Sequence, residues 1–169
     1  MAAVDTERGL RVPSYLLDHD DPASLFTRLQ RVGIHLELLQ HEAMRGLDLA
    51  FRDFVILATL RKEPPPHALP VSRVAEYVLR PMGGITQAVD RIEEAGLVTR
   101  QVDADDRRKV IVSLTPSGKA LADRALASYD AVRERVFAGI DRAELPAIDD
   151  AITTLLTALD ADHEERARR

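Results

Sequence analysis

The stretch AGLVTRQVDADDRRKVIVSLTPSG, residues 95–118, constrains this chain more than any other. Two short runs, residues 97–102 and 109–114, flank a tip in which acids are followed by bases, residues 103–108. Val98, Val102, Val110, Ile111 and Val112 are β-branched and fit a pleated strand. Asp103, Asp105 and Asp106 are residues that bond their own backbone in turns. The pattern predicts a β-hairpin with a long tip. Thr115 then suits an N-cap, and Pro116 the first turn of a new helix. A lone hairpin is marginal in water, so this one has to pack on helices.

Those helices are legible on both sides. Residues 1–20 are mixed in character and predict an arm, partly disordered. Asp21–Pro22 reads as N-cap and first helical residue. Leu25, Leu29, Val32, Leu36, Leu39 and Ala43 then recur at helical spacing, broadened by Ile34, Leu38 and Met44. A helix so widely apolar is buried or shared between two subunits. Residues 46–48 end it. FRDFVILATL, residues 51–60, is a second, strongly apolar helix. PPPHALP, residues 64–70, cannot be helical and reads as the clearest linker in the chain. A short helix over 71–79 turns Val71, Val74, Ala75 and Val78 inward. Arg80–Pro81 breaks it. The next helix runs to about residue 95 with Ile85, Ala88, Val89 and Ile92 inside, and Gly96 stops it. Two short helices with a tight break between them form a helix-turn-helix. Followed by the hairpin and a further helix, they give the outline of a winged helix.

Beyond the hairpin, a long helix reaches about residue 140, with Leu121, Ala125, Val132 and Val136 among its apolar positions. Asp141 and Pro146 mark a new start. Leu145, Ile148, Ile152, Leu155 and Leu159 follow as a coiled-coil-like seam. The charged tail HEERARR is expected to fray.

Composition narrows the function. The chain has 169 residues and no Cys, which removes disulfides, thiolate metal sites and Cys nucleophiles. No apolar run approaches the roughly 20 residues of a membrane span. The first residues lack a basic start followed by an apolar stretch, so a cytoplasmic location is expected. Net charge is −5, so any nucleic-acid contact has to come from a local patch. Catalytic motifs fail: His41–Glu42 opens like HExxH, but position 45 is Arg. Gly118–Lys119 is followed by Ala120, where a phosphate loop needs Ser or Thr. The five histidines, at 19, 35, 41, 67 and 163, have no ligand spacing. An enzyme is not expected, nor any cofactor or metal.

The helix after the break carries Thr86, Gln87, Asp90, Arg91 and Glu94 away from its apolar face. Gln87 could pair with adenine in the major groove, and Arg91 could reach a base or phosphate. The competing reading is a solvated face. Arg100, Arg107, Arg108 and Lys109 sit on the projecting hairpin and could reach phosphates or the minor groove. The competing reading is an exposed charged turn, offset by Asp103, Asp105 and Asp106. One of those acids could orient an Arg. From residue 71 to 111 there are seven Lys/Arg and seven Asp/Glu, so only placement argues for DNA.

VDADDRRKVIVSLTPSGKAL resembles the wing of the MarR family, whose usual pattern is DPxDRRxxxVxLTxxG. GGITQAVDRIEEAGLVTR resembles the same family's recognition helix and the strand after it, which adds Gly83 and Gly84 to the expected DNA-facing residues. The resemblance covers about residues 25–160. It implies a homodimeric winged helix-turn-helix transcription factor. It also implies an effector, because many members release DNA on binding small aromatic or phenolic anions. LATLRKEPPPHALPVSRVAEYVL is most similar to the subgroup answering to urate-like or phenolic ligands. The chain departs from that subgroup in having no Trp in its first helix. It departs from the family in Pro81–Met82 opening the recognition helix, in Ala88 where a basic residue is usual, and in Ala50 where a capping Ser or Thr is usual.

The expectation is a mainly α protein with a small β-hairpin wing. Residues 1–21 form the arm, 22–46 and 116–162 the dimerisation helices, and 51–114 the DNA reader. The expected partners are double-stranded DNA with a palindromic operator, a second copy of the chain, and a small aromatic or phenolic anion. No membrane is expected. By the resemblance, the anion lodges between the dimerisation helices and the reader, against an aliphatic wall of Leu38, Leu39, Phe54 and Leu57. His35, Arg45 and Arg80 are the nearest orienting groups. The alternative is a dimeric winged-helix module that binds ligand or protein and has weak or no specific DNA binding.

Overall fold

The computed structural model describes residues 3–5, 11–13, 21–78 and 82–168. It divides into two compact units, Met1–Tyr129 and Asp130–Arg169.

In the first unit, strands β1 (Ala3–Asp5) and β2 (Arg11–Pro13) pair antiparallel, with Val4 opposite Val12. The arm therefore holds regular pairing that the sequence reading did not anticipate. Helix α1 (Pro22–Ala43) starts where Asp21 accepts the N–H groups of Ala23 and Ser24, each at 3.1 Å. It closes at Ala43, and Gly46 turns the chain away at φ +78°. Leu25, Phe26, Val32, Ile34, Leu36 and Leu38 stand exposed along it.

Helix α2 (Phe51–Lys62) is the centre of the core, burying Phe54, Ile56, Leu57, Ala58 and Leu60. Its N-cap, Ala50, makes no side-chain cap bond. The proline stretch that follows is not only a linker. Ala68–Pro70 forms strand β3, paired with strand β5 (Val110–Leu114) through Ala68–Ser113, Leu69–Val112 and Pro70–Ile111. Proline forbids a helix there but is tolerated on an edge strand. With order β3-β5-β4, β3 is such an edge.

Helices α3 (Val71–Tyr77) and α4 (Met82–Glu94) form the helix-turn-helix, and β4 (Val98–Val102) with β5 forms the wing. Val74 and Ala75 of α3, and Ile85, Ala88, Val89 and Ile92 of α4, are all buried, as their helical spacing predicts. They join Ile56, Leu57, Leu60, Val98, Val112, Leu121 and Ala122 in one cluster. Gly96 ends α4 at φ +69°.

Helix α5 (Pro116–Phe137) begins with a tight lock. Gly118 N–H donates to Thr115 Oγ1 at 3.0 Å, and the Thr115 and Ser117 hydroxyls both donate to Gly96 O at 2.8 Å. A Cβ on Gly118 would lie 1.8 Å from Leu97 O, so only glycine allows this approach. The wing root is thereby fixed to the helix that leaves the reader.

The second unit holds the end of α5, a 3-10 turn at Arg142–Glu144 capped by Asp141, and α6 (Leu145–Ala167). Of the seam residues, Ile148, Ile152 and Leu159 are exposed, and Leu145 and Leu155 are half-buried. Among the described residues, no helix is long and apolar enough to cross a membrane.

Candidate nucleic-acid interface

The residues singled out on α4 part into two flanks. Thr86, Asp90 and Glu93 recur at i, i+4 and i+7 on one side, and Gln87 and Arg91 lie four apart on another. Gly84, Thr86 and Gln87 are exposed near the N-terminal end, the part of such a helix that meets base edges. Gly83 lies in the same first turn.

Arg91 has a structural partner that the sequence reading did not identify. Its Nη2 donates to Asp53 Oδ1 at 2.7 Å and its Nε to Asp53 Oδ2 at 3.5 Å, while Nη1 donates to Gln87 O at 3.2 Å. Asp53 sits on α2 and its side chain is only 10% exposed. The hydrogen bond that Arg91 donates to this carboxylate pushes the arginine's pKa above its already high usual value. In the structure Arg91 is engaged in an ion pair tying α4 to α2. A lone acid within FRDFVILATL was the available signal, because a carboxylate buried in an apolar helix demands a cation.

Arg100 is likewise turned inward. It pairs with Asp90 and Glu93 of α4 rather than projecting with the wing tip. Arg107, Arg108 and Lys109 are exposed at the tip. Asp103 Oδ1 accepts the N–H groups of Asp105 and Asp106, and Asp106 Oδ1 accepts that of Arg108 at 3.1 Å. That backbone hydrogen bond from Arg108, aided by the nearby cations, holds the Asp106 carboxyl below its usual range. Arg108 presents its side chain 93% exposed beside this turn. A cleft of about 280 Å³ opens between α4 and the wing, with Thr86, Arg100, Arg108 and Lys109 in its wall. The exposed polar helix end and the basic tip occur on one module whose framework is a winged helix-turn-helix.

A second cavity, of about 500 Å³, lies where α1, α2 and the end of α3 meet. Gln40, His41, Phe51, Arg52, Val55 and Val78 line it. His35, Leu38, Leu39, Arg45 and Phe54 are not in that lining, and Arg80 lies outside the described residues. His35, Leu38 and Arg45 are exposed on or just beyond α1. Phe54 is buried, in an aromatic cluster with Phe51 and Tyr129. Along α1, six residues rotate the side chain by about 240°, so His35 and His41 face different ways. Arg52 Nε lies 4.0 Å from Asp53 Oδ1, which places the cavity wall next to the Asp53–Arg91 pair.

Comparison with known proteins agrees with this framework. Residues 46–109 match the MarR family model. The HTH-type transcriptional repressor Mb2911 of Mycobacterium bovis is 32% identical over 70% of this chain and 83% of its own length. The HTH-type transcriptional regulator PecS of Dickeya dadantii is 30% identical over 64% of this chain and 66% of its own. The crystal structure of CouR from Rhodococcus jostii RHA1, bound to p-coumaroyl-CoA, aligns with TM-score 0.67 and 29% identity. That alignment covers 80% of this chain and 92% of CouR. The fold is that of a winged helix-turn-helix transcriptional regulator. The chain belongs to the MarR family.

Proposed function

We propose that this protein is a cytoplasmic, homodimeric repressor that holds a palindromic operator and releases it when a small aromatic or phenolic anion binds. The observation that carries the reading is the α4–wing module itself. It offers an exposed helix end at Gly84, Thr86 and Gln87 beside a tip bearing Arg107, Arg108 and Lys109. The helix end enters the major groove, and the tip meets phosphates or the minor groove. The exposed apolar residues of α1 and α6 support the dimer, since isolated helices do not leave such faces open to water. Two-fold symmetry sets half-sites roughly one helical turn, about 34–36 Å, apart.

The effector site in this reading is the cavity at His41 and Arg52. Its wall is apolar apart from a few polar groups able to orient a ring-bearing anion. An anion there competes with Asp53 for Arg52 and raises the negative potential beside the Asp53–Arg91 pair that steadies α4. A coupling of about 1–3 kcal/mol weakens operator binding roughly 5–150-fold. CouR, with p-coumaroyl-CoA bound, is a relative whose ligand carries a phenolic ring.

The test begins with a duplex selected by the protein from a randomised pool. Calorimetry with salicylate, urate and p-coumarate is then paired with operator affinity measured by anisotropy. Binding that loosens the duplex supports the reading. No binding up to millimolar concentration, or binding that leaves affinity unchanged, removes the sensor. For the dimer, Leu155→Asp places a charge in the seam and costs several kcal/mol, on the order of breaking a buried pair. Light scattering on the wild type decides the matter: a folded monomer at micromolar concentration ends the dimer reading.

A further inference from the structure

Arg100 belongs to the wing, but its side chain is turned toward α4 and its surroundings give it another task than the bases of the tip. In β4 the side chains alternate, so Arg100 shares a face with the buried Val98 and points beneath α4. There it meets one flank of the helix along three successive turns. Nη2 donates to Thr86 O at 3.3 Å and pairs with the Asp90 carboxylate. Nε lies 3.5 Å from Glu93 Oε2, an ionic contact rather than an aligned hydrogen bond. The main-chain N–H of Arg100 donates to Glu93 Oε1 at 3.0 Å. The Arg100 side chain is 25% exposed, less than either acid.

We propose that Arg100 is a positioning residue for operator recognition: it fixes the roll of α4 against the wing and neutralises Asp90 and Glu93, and it does not itself contact DNA. The inference rests on the DNA-reading function proposed above. The flank opposite is held by the Asp53–Arg91 pair, so α4 is gripped from α2 on one side and from β4 on the other. Asp90 and Glu93 would otherwise turn two uncompensated carboxylates toward a polyanion. A guanidinium suits this work because its planar fork bonds several acceptors at once, which a lysine ammonium cannot reproduce in the same geometry.

The experiment uses the full chain and the duplex it selects, with affinity measured across a KCl series. Arg100→Ala is expected to weaken specific binding about tenfold, the usual scale for losing a charge-assisted hydrogen bond. The slope of log affinity against log salt should stay unchanged, because no phosphate contact is lost. Arg100→Lys should recover only part of the loss. Adding Asp90→Asn and Glu93→Gln to Arg100→Ala should restore most of the affinity, while base preference at the positions read by Gln87 stays relaxed. Hydrogen exchange on the DNA-free protein checks that Arg100→Ala is folded and should show faster exchange confined to α4. A slope lowered by about one with no rescue in the acid-neutral background would make Arg100 a direct phosphate contact and overturn the proposal. Unchanged affinity in Arg100→Ala would overturn it too. A wild type that selects no duplex at all brings down the DNA-reading function, a result separable from any behaviour of the variants.

Discussion

The flanks of α4 and the tip of the wing use the same residue type for opposite ends. Arg91 and Arg100 are drawn into the module by Asp53, Asp90 and Glu93, acids fixed on rigid helices. Arg107 and Arg108 stand at a turn in which the Asp103 and Asp106 carboxylates accept main-chain N–H groups. Partner geometry decides the role. Where a carboxylate is held at packing distance by another element, the guanidinium becomes a rivet. Where the carboxylate belongs to the same tight turn, it orders the loop and leaves the guanidinium outside. The module can therefore be neutral in sum and still present positive charge at its projecting end.

The largest expected effect comes from breaking a rivet. Arg91→Ala leaves the Asp53 carboxylate buried, with Arg52 at 4.0 Å the remaining cation beside it among the described residues. The usual penalty for an orphaned buried charge is about 3–5 kcal/mol, and residual solvent around the half-exposed pair lowers it to about 2–3 kcal/mol. Urea unfolding should show this as a drop in midpoint at constant slope. Asp53→Asn, which keeps the shape and one acceptor, should cost about half as much. If Arg91→Ala unfolds at the wild-type midpoint, the contrast between rivet and contact arginines fails on its strongest member.

This contrast also marks what the sequence could show. Periodicity placed Ile85, Ala88, Val89 and Ile92 in the core because each stripe repeats within one element. Gly96, Thr115 and Pro116 were legible as stop, cap and start because those signals are local. The pairing of Asp53 with Arg91 spans 38 positions and exists only once α2 and α4 are packed, so no local pattern announces it. Strand β3 was hidden for a different reason: prolines exclude a helix, and their tolerance on a sheet edge depends on knowing which strand is the edge. The cavity lined by His41 and Arg52 lies on a different face of α1 from His35 and Leu38, and the sequence could not show it because the angular position of α1 against α2 follows from packing alone.

An intermediate effect is expected at the tip itself, as a function of pH. The folded-state pKa of Asp106 is lowered from 3.8, chiefly by the Arg108 N–H. A depressed carboxyl pKa stabilises the folded tip above the unfolded value, and that contribution is lost as pH falls through the folded value. The tip should therefore stay ordered down through pH 3.8 and loosen below it. Amide shifts of Asp105, Asp106 and Arg108, followed by NMR from pH 6 downward, should move together with a midpoint under 3.8. Asp106→Asn should abolish that transition while leaving α4 unmoved. A midpoint above 3.8 would mean that the cations and the turn do not favour the charged carboxylate.

The smallest effect on stability, and the one most specific to function, belongs to Arg108. Its side chain is almost fully exposed, and its ion pair to Asp106, at 3.5 Å, is loose. Exposed pairs of this kind contribute about 0–1 kcal/mol, so Arg108→Ala should unfold within error of the wild type. Binding should tell a different story. A cation that neutralises one phosphate releases about one counterion, so its loss weakens all duplexes alike and flattens the salt slope by about one. Gln87→Ala should do the reverse, changing preference at one base position by about 1–3 kcal/mol with the slope intact. Arg100→Ala is distinguished from both by rescue through its acids. An unaltered affinity and slope in Arg108→Ala would remove the wing tip from the DNA interface, and the arginines of this module would then differ in exposure alone.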